Sequence, residues 1–227
     1  MTSHSTFTDE TVTVVIGGTS GIGKAVAQRL AERPGRVVGA SRSTGLDVAD
    51  PKAVAAFLDE LGPVDHVIFT AGSKAPGGPL SLLNLTDARE AFEVKFWGAI
   101  TVAQAAAPHI RPGGTLTLTS GNLARKPTPG ALVKTAMNAA TEASAKVLAR
   151  EFAPIRVNVV SPGLTDTEAH AGMAPDAKEA MLRDNAARLP AGRVAEAGDV
   201  AAGYLFVIDT PSVTGAVIDI DGGALIS

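Results

Sequence analysis

The segment Gly17-Gly18-Thr19-Ser20-Gly21-Ile22-Gly23 stands between an apolar β-branched run and an amphipathic helix, and it narrows the folds open to this chain more than any other feature. Thr11 to Ile16 (TVTVVI) is nearly continuous in β-branched residues, the pattern of a strand buried on both faces. Lys24 to Arg33 follows with helical spacing of Val26, Ala27 and Leu30, and Pro34-Gly35 stops it. So tight a strand-to-helix turn needs residues without a Cβ. Backbone N–H groups at a helix N-terminus favour negative charge, so a pyrophosphate is their natural ligand. In this context Gly17, Thr19, Ser20, Gly21, Ile22 and Gly23 form a dinucleotide-binding turn rather than a plain one.

The rest of the chain repeats the alternation. Arg36–Ala40, Val64–Thr70, Thr115–Ser120, Arg156–Ser161 and Ala216–Ile220 read as strands. Between them, Pro51–Leu61, Thr86–Ala107, Ala131–Phe152 and Asp199–Ile208 read as helices, the last with Asp199 as N-cap. Alternating strands and helices, with strands apolar on both faces, predict an α/β fold. It is a doubly wound parallel sheet of Rossmann type in a single domain. Residues 1–10 are polar and aperiodic and read as a flexible N-terminal tail, which leaves 11–227 as the nucleotide-binding domain with its substrate loops.

Composition removes several alternatives. The chain has 227 residues, 20 Lys+Arg against 23 Asp+Glu, and a formal charge of -3, which gives no electrostatic reason to expect nucleic acid or an anionic membrane. It has no cysteine, hence no disulfide, thiolate metal site or cysteine nucleophile, and four histidines argue against a His-only metal site. No apolar run approaches the roughly 20 residues of a membrane span. The first residues lack the pattern of a signal peptide, so the expectation is a soluble cytoplasmic protein acting on a small molecule.

The second strand runs into Gly39-Ala40-Ser41-Arg42-Ser43, without the acid that would bond an adenosine 2′-OH. Arg42 between Ser41 and Ser43 suits a 2′-phosphate, because a guanidinium offers several donors to a phosphate. The cofactor expected is NADP(H).

Together these motifs resemble the short-chain dehydrogenase/reductase family from residue 11 onward. Asp47-Val48 resembles the family's pair beside the adenine. Ala71-Gly72 matches the end of its Asn-Asn-Ala-Gly, with Phe69 and Thr70 in place of the asparagines. Arg156-Val157-Asn158 and Ser161-Pro162-Gly163, followed by Leu164, are similar to a motif beside the nicotinamide, and Thr167 falls where a threonine contacts the pyrophosphate. Asp199-Val200-Ala201, Thr214-Gly215 and Asp221-Gly222-Gly223 resemble the C-terminal signature. The resemblance implies an oxidoreductase in which Ser120 orients the substrate and Lys134 holds the nicotinamide ribose. It also implies a homodimer or homotetramer built on the two long helices.

The departures fall on the chemistry. Where the family has its catalytic tyrosine, four residues before Lys134, this chain has Gly130, and where it has an asparagine it has Lys95. The chain's one tyrosine, Tyr204, lies on the late helix and reads as a core aromatic. A lysine desolvated near another cation has a lowered pKa, so Lys95 with Ser120 could relay a proton; a structural or ribose-contacting lysine is the plain alternative. Three readings stay open: a reductase with a displaced acid, a substrate such as a protonated imine or an enone that needs no tyrosine, and an NADP(H)-binding protein without redox turnover. Substrate selection is expected from the loop 73–80 and from 165–189. Met173, Met181 and Leu182 in the second of these suggest a substrate without strong charge.

Overall fold

The structure is a computed structural model that describes residues 7–72 and 74–227. Six parallel strands form one sheet: β1 (Val12–Ile16), β2 (Arg36–Ala40), β3 (Val64–Phe69), β4 (Ile110–Thr119), β5 (Arg156–Pro162) and β8 (Val217–Ile220), in the order β2-β1-β3-β4-β5-β8. The central strands read VTVVI and VDHVIF because they carry apolar side chains to both faces. Helices α1 (Gly21–Ala31) and α7 (Ala197–Asp209) cover one face, where Val26, Leu30, Val200 and Tyr204 meet Val15, Ile68 and Val160. Helices α2 (Pro51–Leu61), α4 (Gly98–Ala106) and α5 (Leu132–Glu151) cover the other, where Val54, Leu58, Val102 and Ala145 meet Val14, Val67 and Leu116. The chain leaves β1 toward β2 on one side and β3 on the other. This switch point opens a crevice beyond the carboxyl ends of the strands.

Several elements differ from the expectation. Within the stretch 1–10 expected to be a tail, Phe7 is buried, with its ring centroid 5.2 Å from that of His66 and the Arg33 guanidinium 4.7 Å above it. Burial of this ring, with the Thr11 N–H bonded to the Thr8 carbonyl and the Thr8 N–H to the Thr11 hydroxyl, joins residues 7–10 to the domain. Residues 1–6, and Ser73 in the predicted substrate loop, lie outside the described residues. The long helix expected over Thr86–Ala107 is α3 (Leu85–Phe92) joined to α4 through a π-helical turn, Glu93–Trp97. The N-cap of α7 is Glu196, not Asp199. Asp199 stands at the third helical position, accepts from the Glu196 N–H at 2.8 Å and binds Arg193 at 2.6 Å. The stretch 165–189 holds β6 (Thr165–Asp166), paired with β7 (Ala195–Glu196), and helix α6 (Pro175–Ala186), which buries no residue fully. The short passage after β2 is one 3₁₀ turn, Arg42–Thr44.

Candidate active site

The glycine turn is pinned between β1 and β3. Gly17 donates to the Ala40 carbonyl at 2.7 Å, and the Thr70 hydroxyl and N–H both bond the Ile16 carbonyl. A Cβ on Gly23 would lie 2.2 Å from the Gly17 carbonyl oxygen and 2.3 Å from the Thr70 hydroxyl, so only glycine lets α1 start this close to the strand. Ser20 caps α1 without a side-chain bond, and the first turn carries no acid. The vacant donors are met by a carboxylate of the chain itself: Glu168 Oε2 accepts from the Gly21 N–H at 3.0 Å. Hydrogen bonds from its own backbone and from Gly21 hold the Glu168 carboxyl below its usual pKa. An anion seat already taken by a carboxylate fits a dinucleotide pyrophosphate.

From this turn a cleft of about 780 Å³ runs along the strand ends, within the range of small-molecule and cofactor sites. The cleft wall includes Gly17, Thr19, Ser20, Gly21, Ile22, Gly23, Ser41, Arg42, Asp47, Val48, Thr70, Ala71, Gly72, Lys95, Lys134, Gly163, Leu164 and Thr167. Of the expected residues, Ser43, Pro162 and Ser120 are not on it. Ser43 instead bonds the Ser41 hydroxyl at 2.8 Å, which in turn accepts from Thr19 at 2.9 Å, so three hydroxyls cluster beside the largely exposed Arg42. Pro162 is buried in β5. The wall also holds Ile16, Leu46, Lys74, Val94, Thr165, Ala169 and His170, which the motif reading passed over. Leu46 and Val94 neighbour motif residues, and Lys74 sits in the predicted substrate loop. His170 had no local signal; its Nδ1 is buried without a partner among the described residues. Met173, Met181 and Leu182 do not line the cleft.

The π-helical turn aims Lys95 at the cleft. The Gly98 N–H reaches back five residues to the Glu93 carbonyl, which widens the helix at this point, as π-bulges at functional sites commonly do. Lys95 Nζ donates to the Ser120 carbonyl at 3.2 Å, and no other protein acceptor is recorded for it among the described residues. Burial, and secondarily the charge of Lys134, push its pKa down to about 8. Lys134 stands in the first turn of α5, exposed on the cleft wall.

Ser120 does something other than expected. Its hydroxyl donates to Glu142 Oε1 at 2.8 Å and is buried away from the cleft. Glu142 is held by Arg125 at 3.0 Å, and Arg125 also pairs with Asp219 and Ser161. The buried carboxylate on α5 therefore accepts the serine's hydrogen bond, and Ser120 meets the site only through its carbonyl, which holds Lys95. Asn138 is buried beside Gly121, off the cleft wall. Tyr204 is fully buried, its hydroxyl 2.6 Å from that of Thr119, with burial raising its pKa.

Position 130 is not a simple vacancy. Gly130 has φ +80°, and its carbonyl accepts from the Gly78 N–H at 2.9 Å. A Cβ there would lie 3.3 Å from the Gly78 nitrogen on a backbone that other residues rarely adopt. Backbone of the loop after β3 thus lies directly against position 130.

A parallel sheet with this strand order, a glycine turn opening α1 and a cleft at the switch point define a dinucleotide-binding domain of Rossmann type. Residues 16–224 match the family model described as Enoyl-(Acyl carrier protein) reductase. The chain is 31% identical to the short-chain dehydrogenase/reductase ucsE of Acremonium sp, with 96% of this chain and 97% of the relative covered. A solved structure described as a small-chain dehydrogenase in complex with NADPH superposes with a TM-score of 0.94 at 50% identity, covering 96% of this chain and 100% of that one. The MalC reductase/Diels-Alderase from Malbranchea aurantiaca superposes with a TM-score of 0.84 at 26% identity, over 96% and 97% of the two chains. The chain belongs to the short-chain dehydrogenase/reductase family, a family of oxidoreductases that use nicotinamide cofactors.

Proposed function

We propose that the protein is an NADP(H)-dependent reductase of a small carbonyl, imine or enone compound, with Lys95 in place of the tyrosine as proton donor. The observation that carries this reading is one cleft lined by the start of α1, whose Gly21 N–H already holds a carboxylate, by Arg42 with Ser41 and Thr19, and by Lys95 and Lys134. Arg42 and its hydroxyls would hold the 2′-phosphate, with Ser43 supporting Ser41 from behind. The N–H groups of Gly21, Ile22 and Gly23, with Thr167, would hold the pyrophosphate. Asp47, Val48, Ala71, Gly72, Gly163 and Leu164 would flank the adenosine and nicotinamide ends, with Pro162 setting the backbone of Gly163. Lys134 would bond the ribose hydroxyls. The similarity to an NADPH-bound structure supports the same cofactor here.

When bound, NADPH supplies a hydride to the substrate carbon, and one proton completes the reduction. Lys95 would deliver that proton to a carbonyl oxygen. A protonated imine brings its own. Ser120 acts as a positioning residue, its carbonyl holding the Lys95 ammonium and its hydroxyl fixed by Glu142.

Nucleotide titration and turnover test the reading. Arg42→Ala should weaken NADPH binding by about tenfold to a hundredfold, the worth of hydrogen bonds to a charged group, and leave NADH binding nearly unchanged. Equal effects on both nucleotides would overturn the NADP assignment. Tight NADPH binding without oxidation by any carbonyl, imine or enone compound would instead leave a nucleotide-binding protein without redox turnover.

A further inference from the structure

The cleft carries positive charge that the fold does not answer. Lys74, Lys95 and Lys134 all line it, and the lining holds one carboxylate, Asp47, which lies 4.0 Å from Arg42. Among the described residues no ion pair joins any of the three lysines to an acid. Glu93, on the same turn as Lys95, lies on the separate groove with Leu85 and Trp97, and four further acids are engaged elsewhere. Arg125 takes Glu142 and Asp219, Lys178 takes Asp166 at 2.7 Å, and the Gly21 N–H takes Glu168.

The phosphates of a dinucleotide would sit away from Lys95. Arg42 follows β2 and the glycine turn follows β1, whereas Lys95 is fixed to the residue after β4. That is two strands from β1 and three from β2, about 10 and 14 Å at the usual strand spacing. The ribose hydroxyls are neutral, and an oxidised nicotinamide is itself a cation. Lys95 is desolvated in the cleft wall, and a desolvated cation is costly until an anion joins it, while Lys74 and Lys134, exposed on the same wall, add like charge beside it. The remaining room is small, because about 780 Å³ must also take the dinucleotide. A carboxylate is the most compact anion an organic substrate carries.

We infer that the substrate is a small carboxylate, with its reducible C=O or C=N group close to the acid function, and that Lys74 and Lys95 recognise it, with Lys134 on the ribose adding to the positive field. This rests on the reductase reading above and replaces the uncharged substrate suggested by Met173, Met181 and Leu182. The substrate's own charge keeps Lys95 protonated, so binding prepares the proton donor.

Matched pairs test the inference: 2-oxo and 3-oxo acids against their methyl esters, and dihydroxyacetone phosphate against dihydroxyacetone. NADPH oxidation is one readout, and calorimetric binding to the NADP⁺-loaded protein is the other. The acids should exceed their esters by at least about tenfold in kcat/KM and in affinity, the effect of one hydrogen bond to a charged group. Lys74→Gln and Lys95→Gln should each collapse that ratio, and Lys95→Arg should keep the affinity difference. Esters matching the acids, a larger preference within the phosphate pair, or no binding of any acid would each overturn the inference. Acids that bind in a Lys74-dependent way but oxidise no NADPH would sink the reductase reading and leave the anion site standing.

Discussion

Lys95 is the residue on which the proposed chemistry turns. An acid must hold its proton to give it, so with a pKa of about 8 in the free protein kcat/KM should fall as pH rises through that value. A pH–rate profile checks this, and Lys95→Gln should flatten the alkaline limb while lowering kcat by about 10²–10⁴. His66 shows the same physics without a catalytic role. It lies beneath Phe7 with Nδ1 3.0 Å from the Thr115 hydroxyl, and burial lowers its pKa to about 4 from 6.5. The unfolded chain therefore binds this proton first, so stability present above pH 6.5 is lost as pH falls toward 4, by about 3 kcal/mol. Denaturant midpoints at pH 7 and pH 4.5 should show the loss, and His66→Gln should shrink it. Lys95 could be singled out in the sequence because it replaces an asparagine inside a recognisable motif. The direction of the Ser120 hydroxyl could not, because its partner Glu142 is 22 residues away on another element.

At the scale of elements, what could be read was what local chemistry decides. Helix α2 runs from Pro51 to Leu61 as its sequence predicts, because Asp50 caps it through the Lys52 and Ala53 N–H groups and Gly62 ends it. Helix α6 gave no apolar stripe, because it buries no residue fully. The π-helical turn gave no signal either, since its one widened bond joins Gly98 to Glu93 within an otherwise helical run. The contact between Gly78 and Gly130 joins two loops distant in sequence, and it changes what a repair of the site would do. Gly130→Tyr should not restore a tyrosine-dependent carbonyl reductase. It should destabilise the protein by about 1–3 kcal/mol, the cost of a left-handed non-glycine residue. Thermal unfolding and carbonyl turnover of the variant check both halves.

For the whole molecule, the parallel sheet and its two helical layers were present in the alternation of apolar strands and helices, because a parallel sheet must be covered on both faces, whereas the strand order was not. The state of assembly was expected from the family resemblance. On the surface, Leu85 and Trp97 are more than half exposed and line one groove with Ala88 and Phe92. A second copy seated there would bury them. Sedimentation should then show a dimer or tetramer, and Trp97→Glu should shift it toward monomer by placing a charge in the contact. The joint at Gly130 also ties two loops into one mechanical unit: the Gly130 carbonyl accepts from the Gly78 N–H at 2.9 Å, and a Cβ on Gly77 would lie 3.3 Å from the same carbonyl oxygen. A designer who wanted a side chain at position 130 would have to rebuild both loops together.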